Sequence, residues 1–318
     1  MRNILVLIVL VGVVGYFGSK MYLHGEVSDG MDMAVTMMSP YAAIEYDGVS
    51  STLSGELTVE GIRVQVRGFS DSFYIDRIGI DTPSFLSLLE LGDVVSMQDG
   101  GFPETFGVLM EGLRIPSSAD YFESLSNAML EDEGVTDADE PAHKCTGKYG
   151  FSPDALIGLG YNEQVISMAM TFNNQRGKYS MDMNMSIQDM WDMQADVVFA
   201  GDMLSEFSKG TAYRPKLSSM EMSMTDRSLN GRVTEYCGQL GLSQAETIKA
   251  QMDSFIYFGT ENGIEFGDAI LEPYREFIDG KSTFVMTSRP YQPVAFSQID
   301  LYKPSDVPAL LNLEASAL

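Results

Sequence analysis

Histidine, cysteine and tryptophan are scarce in this chain, and so are basic residues. Its 318 residues hold two histidines (His24, His143), two cysteines (Cys145, Cys237) and one tryptophan. Neither histidine neighbours a plausible nucleophile, and no GxSxG elbow, P-loop or GxGxxG fingerprint occurs. Carboxylate pairs such as Asp182 with Asp189 or Asp192 exist, but acids are numerous enough that such pairs arise by chance. Without a CxxC motif, redox catalysis and a structural zinc site have no support. The expectation is a protein without catalysis, cofactor or metal, and a hydrolase with an unrecognised site is the least favoured reading. Lysine and arginine total 20 against 45 acids, a net charge of −25. Such a surface repels phosphates and anionic headgroups, which excludes a nucleic-acid partner.

Long apolar runs are absent except for one. Ile4 to Phe17 is uninterrupted, with Arg2 before it and Lys20 after it. Extended through Leu23, it approaches the ~20 residues that a membrane-spanning helix needs. The single Arg places the N-terminus in the cytoplasm. Tyr16 and Phe17 stand where a signal peptidase requires small side chains, so an uncleaved anchor over 1–24 is expected, with a cleaved signal peptide or a buried core helix as the alternatives. The expected location is a bacterial inner membrane, single-pass, with the body in the periplasm. In that oxidising compartment Cys145 and Cys237 are expected to pair.

Beyond the run, period-two alternation predicts strands around Ile44–Tyr46, Leu57–Val66, Phe73–Ile80 and Phe106–Ile115. The apolar phase flips at Gly61, as a bulge or bend would produce. Helices are expected over 29–38, over 83–92 behind Pro83, and over 117–130. Glu131 to Lys144 concentrates acids with Gly134 and Pro141 and reads as a linker; its spacing does not match a calcium loop. A short helix over 152–159 is expected next. Strands follow at Val165–Phe172, Tyr179–Ile187, Met193–Phe199 and Lys216–Thr225, with a helical turn at Met203–Phe207 and a helix over Leu229–Leu240. Ser243 and Glu246 form a capping box for a further helix, and another covers Phe266–Ile278. Strands at Thr283–Thr287 and Val294–Leu301 and a short helix at Ser305–Leu311 complete the reading. The fold class expected is α+β: an N-terminal transmembrane helix, then an extracytoplasmic body of mostly antiparallel curved sheets packed with helices, with an internal duplication. The units are 1–24, 25–130, the linker 131–144, 145–241 and 242–318.

Methionine is the surplus residue, at 22. Met168 and Met170, then Met181, Met183 and Met185, then Met220, Met222 and Met224 alternate with polar residues. Alternation puts each set on one strand face. Three readings compete: a closed sheet core filled by soft side chains, an apolar ligand groove, and a Cu(I) site. Copper lacks the assisting histidines and cysteines.

The order Gly55-Glu-Leu57-x-Val59-x-Gly61-Ile62-x-Val64, then Ile75-Asp-Arg77-Ile78-x-Ile80, then Pro83-Ser-Phe85-Leu86-x-Leu88-Leu89 behind an apolar N-terminus resembles the start of AsmA-like bacterial envelope proteins. The likeness covers about a third of the chain and carries no site residues. It implies one inner-membrane helix and a β-rich periplasmic body with an apolar groove used in lipid traffic or outer-membrane assembly. The function expected is binding of an apolar ligand or envelope partner in envelope maintenance or lipid handling. A structural or assembly factor with no small ligand is the alternative.

Overall fold

The computed structural model describes residues 24–25, 27–89, 103–119, 141–147, 151–175, 177–201, 215–299 and 301–318. Its framework is one 12-stranded sheet in the order β1-β3-β4-β5-β6-β7-β8-β9-β10-β12, with β2 on β3 and β11 on β9. The first meander is β1 (Ala42–Glu45) and β2 (Gly48–Ser51), both against β3 (Glu56–Val66), then β4 (Ser72–Asp81) and β5 (Thr105–Pro116). The second is β6 (Glu163–Gln175), β7 (Lys178–Ile187), β8 (Trp191–Ala200) and β9 (Lys216–Asp226). The two join through antiparallel β5 and β6. β10 (Thr283–Ser288), β11 (Val294–Ala295) and β12 (Leu313–Ala317) extend the second.

Alternation explains the strands, and glycine explains where it breaks. In β3, Leu57 and Val59 are buried before Gly61 and Ile62 after it, so the inward phase moves by one residue. In β5 the apolar set shifts from Val108 and Met110 to Leu113 and Ile115, with a register shift against β6. Gly61 (φ 64°) and Gly112 (φ 65°) sit at the two breaks in left-handed backbone. Asp47 and Asp76 lie across from them, so close that an added Cβ would meet their carboxylates at 2.0 and 2.1 Å.

The helices are α1 (27–38), α2 (85–89), α3 (Pro141–Thr146), α4 (Pro153–Gly158), α5 (Leu229–Gln239), α6 (Gln244–Glu261), α7 (Asp268–Ile278), α8 (Phe296–Ile299) and α9 (Val307–Leu311). Ser243 and Glu246 cap α6 reciprocally, as the motif predicts. The disulfide Cys145–Cys237 ties α3 to α5, with both cysteines wholly buried.

Four expectations are corrected. No helix among the described residues is long and apolar enough to cross a membrane. The longest described, α6, carries Glu246, Lys249, Asp253 and Glu261, so its apolar surface is a stripe and not a cylinder. The run 4–17 that suggested an anchor lies outside the described residues, as do 120–130, 131–140 and 203–207. The strands also form one continuous sheet where several were expected. Locally, Val294–Leu301 is strand only to Ala295 and then α8, where the Gln298 side chain accepts from the Ala295 N–H at 3.4 Å. Pro141 to Lys144, read as linker, begin α3.

Gly112→Ala is expected to destabilise by about 1–3 kcal/mol, the cost of a non-glycine residue in left-handed backbone. The urea midpoint measures this, and an unchanged midpoint would show that β5 does not need the bend. Cys145→Ser with Cys237→Ser is expected to lower stability by about 4.6 kcal/mol in the chain-entropy account, given the 92-residue separation, which the urea midpoint also measures.

Candidate functional site

Cross-strand register converts the methionine alternation into transverse rows. Met110, Met168, Met185, Met193, Met224 and Phe284 stand side by side on β5 to β10. The next row is Val108, Met170, Met183, Ala195, Met222 and Met286. A third runs Phe106, Phe172, Met181, Val197 and Met220, with Phe106 stacked on Phe172 at 4.9 Å. All eight methionines singled out from the sequence therefore share one face of the sheet. Met110, Met193 and Met286 join them; these were missed because alternation says nothing about which strands are neighbours.

Four apolar clusters stand around this floor. At the β3–β4 side, α1 and α2 pack Val27, Phe85 and Leu88 on Leu57 and Ile80. At the β9–β10–β12 side, α6 and α7 pack Met252, Ile270 and Phe277 on Met224, Phe284 and Met286. At one strand end the disulfide, α4 and α5 pack on Ile187 and Trp191. At the other end, α9 and β11 pack Val307, Leu311 and Val294 on Tyr179, Phe199 and Leu217, reaching Met181 and Met220. Met168, Met170, Met183, Met185, Met193 and Met222 belong to none of the four clusters. Each of these six is half-buried. Among the described residues the arrangement is a floor of partly exposed thioethers with packed clusters at its rim.

The reverse face is mostly polar, with Leu109, Ala169, Val198 and Val285 as apolar exceptions. Ser167, Ser186 and Asp192 form one row, Ala169, Asn184 and Gln194 the next. With Glu111 they line a shallow depression of about 220 Å³. Arg77 grips Glu111 with Nε and Nη2 at 2.7 and 2.8 Å and reaches Glu56 with Nη1 at 3.0 Å. This fork holds the Glu111 carboxyl below its ordinary range. A third row is acidic: Glu56, Asp81, Gly107, Thr171, Asp182, Asp196, Glu221, Thr287, Glu314. Among the described residues, no three His, Cys, Asp or Glu side chains converge as a metal site.

Asp182 faces Asp196 directly. A shared hydrogen bond with Asp196, then desolvation and repulsion, push its carboxyl above the ordinary aspartate value of 3.8. The folded chain therefore binds this proton more tightly than the unfolded chain. The pair costs stability at neutral pH, and the cost is relieved as pH falls through the raised value. Asp182→Asn is expected to raise the urea midpoint at about pH 7, with the gain shrinking towards pH 4. A gain that grows on acidification would contradict the shared proton.

A family model described as "Uncharacterized protein" matches residues 163–318. No curated protein matches the chain. The matched residues begin at β6 and contain all eight methionines, whereas the AsmA-like likeness lies wholly before them.

Proposed function

We propose that this chain binds an apolar ligand, a lipid or lipid-like chain, on its methionine floor, in an oxidising extracytoplasmic compartment and without catalysis of its own. The observation that carries this reading is the set of half-buried thioethers on three adjacent rows, ringed by four packed clusters. Methionine is flexible and polarisable, so such a surface adapts to a chain of variable shape. Ligand pockets are typically apolar with a few polar groups at the margin. The disulfide supports the oxidising compartment. The AsmA-like resemblance of the N-terminal third agrees with a lipid-handling role in the envelope. His24 is hydrogen-bonded to Ser51 at 2.9 Å and His143 lies on α3, and neither belongs to the floor.

Native mass spectrometry of the purified full chain tests this. The wild type is expected to carry lipid. Met183→Asp, at the centre of the second row between Met170 and Ala195, is expected to lose most of it with little change in melting temperature. Met183→Leu is expected to retain it, because the swap conserves volume. Lipid-free wild type would remove the ligand and leave an assembly factor. A collapse in melting temperature for Met183→Asp would mean that the floor acts as core.

A further inference from the structure

Between the sheet and helices α5, α6 and α7, at the margin of the floor, lies a partly enclosed cavity of about 100 Å³. One water molecule needs roughly 10–15 Å³ by the same measure, so the space admits a small organic group. Four aromatic side chains line it: Phe151, Trp191, Tyr274 and Phe277. Asp226 and Gln251 line it too. Asp226 is the cross-strand partner of Trp191, and its Oδ1 accepts from the Asn230 N–H at the start of α5 at 3.0 Å. Gln251 is 8% exposed, and its Oε1 is buried without a hydrogen-bond partner.

Three other polar groups at the wall are already engaged. Thr146 Oγ1 donates to the Ala142 carbonyl at 2.7 Å and Ser254 Oγ to the Ala250 carbonyl at 2.9 Å. Asn230 Nδ2 donates to the Phe277 carbonyl at 3.3 Å. What remains, beside the apolar Met224, Leu229 and Val233, is a carboxylate, an unpaired amide oxygen, the Trp191 N–H, the Tyr274 hydroxyl and four aromatic rings. Burial pushes the Asp226 carboxyl upward, as expected for an acid with no cation beside it. An anion would be repelled here, and by the net charge of −25. A neutral group would leave the Asp226 charge offset only by the backbone N–H groups of Leu229 and Asn230.

We infer that this cavity binds a small organic ammonium group, with Asp226 as its counter-ion, the aromatic rings as its cage and Gln251 as acceptor for an N–H. Aromatic enclosure of an ammonium is favourable most of all where water is excluded. The site shares Met224 with the methionine floor, but the inference does not depend on a ligand binding there.

Titration calorimetry of the full chain with tetramethylammonium, ethylammonium and the neutral tert-butyl alcohol decides the matter. Both cations are expected to bind, and the alcohol at least about tenfold more weakly, a difference of about 1.4 kcal/mol. Asp226→Asn keeps an oxygen to accept from the Asn230 N–H of α5 and is expected to weaken both cations by the same factor. Gln251→Leu is expected to weaken ethylammonium and leave tetramethylammonium, which has no N–H, unchanged. Circular dichroism confirms that each variant is folded, and Gln251→Leu carries the test if Asp226→Asn is not. No cation binding by the wild type, equal binding of the alcohol, unchanged binding by folded Asp226→Asn, or equal effects of Gln251→Leu on both cations would each overturn the assignment.

Discussion

The register between β5 and β9 is the constraint on which everything else rests. Side chains alternate with a period of two, so a one-residue slip of a single strand would exchange its faces. Slipping β7 would lift Asp182 and Asn184 into the methionine rows and turn Met183 towards the acids. Desolvating the Asp182 carboxylate and the Asn184 amide against Met170 and Ala195 would be costly. The chemical contrast between the two faces therefore selects the register, and the register in turn builds the floor. Strand pairing, methionine alignment and the acidic row are one decision seen from two sides of a sheet.

That decision has a cost on the polar side. Asp182, Asp196 and Glu221 stand in succession across β7, β8 and β9, and like charges directly opposite each other oppose pairing. Arg289 approaches Glu221 at 3.7 Å, and the exposure of both side chains makes this a weak offset. The apolar rows and the clusters at their rim must outweigh the repulsion. All four clusters lie on the methionine side, which leaves the reverse face to water and lets a strongly acidic chain keep its charges solvated.

How much of this could be read from the amino-acid order varied with the physics involved. Strands β6 to β9 were legible within a few residues because their two faces differ so sharply. The capping box at Ser243 and Glu246 was legible because its two hydrogen bonds need only four consecutive residues. The cysteine pairing followed from there being two. β12 was not legible: Leu313, Ala315 and Ala317 alternate, but small side chains in a short segment give a weak signal. α8 was hidden by Val294 and Ala295, whose strand character does not extend past the Gln298 contact. The aromatic cavity was the least legible feature, since Thr146, Trp191, Asp226, Gln251 and Tyr274 come together only through the packing of separate helices on the sheet. Asp226 alone left a trace, as an acid in the short step from a strand to a helix.

The disulfide has a mechanical consequence. Cys145 and Cys237 bracket β6 to β9, so all eight methionines lie within the covalent loop. A pull applied to the two ends of the chain passes from α3 to α5 through the sulfurs and bypasses that loop. The pulled chain can extend only outside it, and reduction would release roughly 300 Å of additional contour at 3.3–3.6 Å per residue. The four central strands of the floor, β6 to β9, are thus shielded from tension while the bond is intact, whereas its flanking strands β5 and β10 are not.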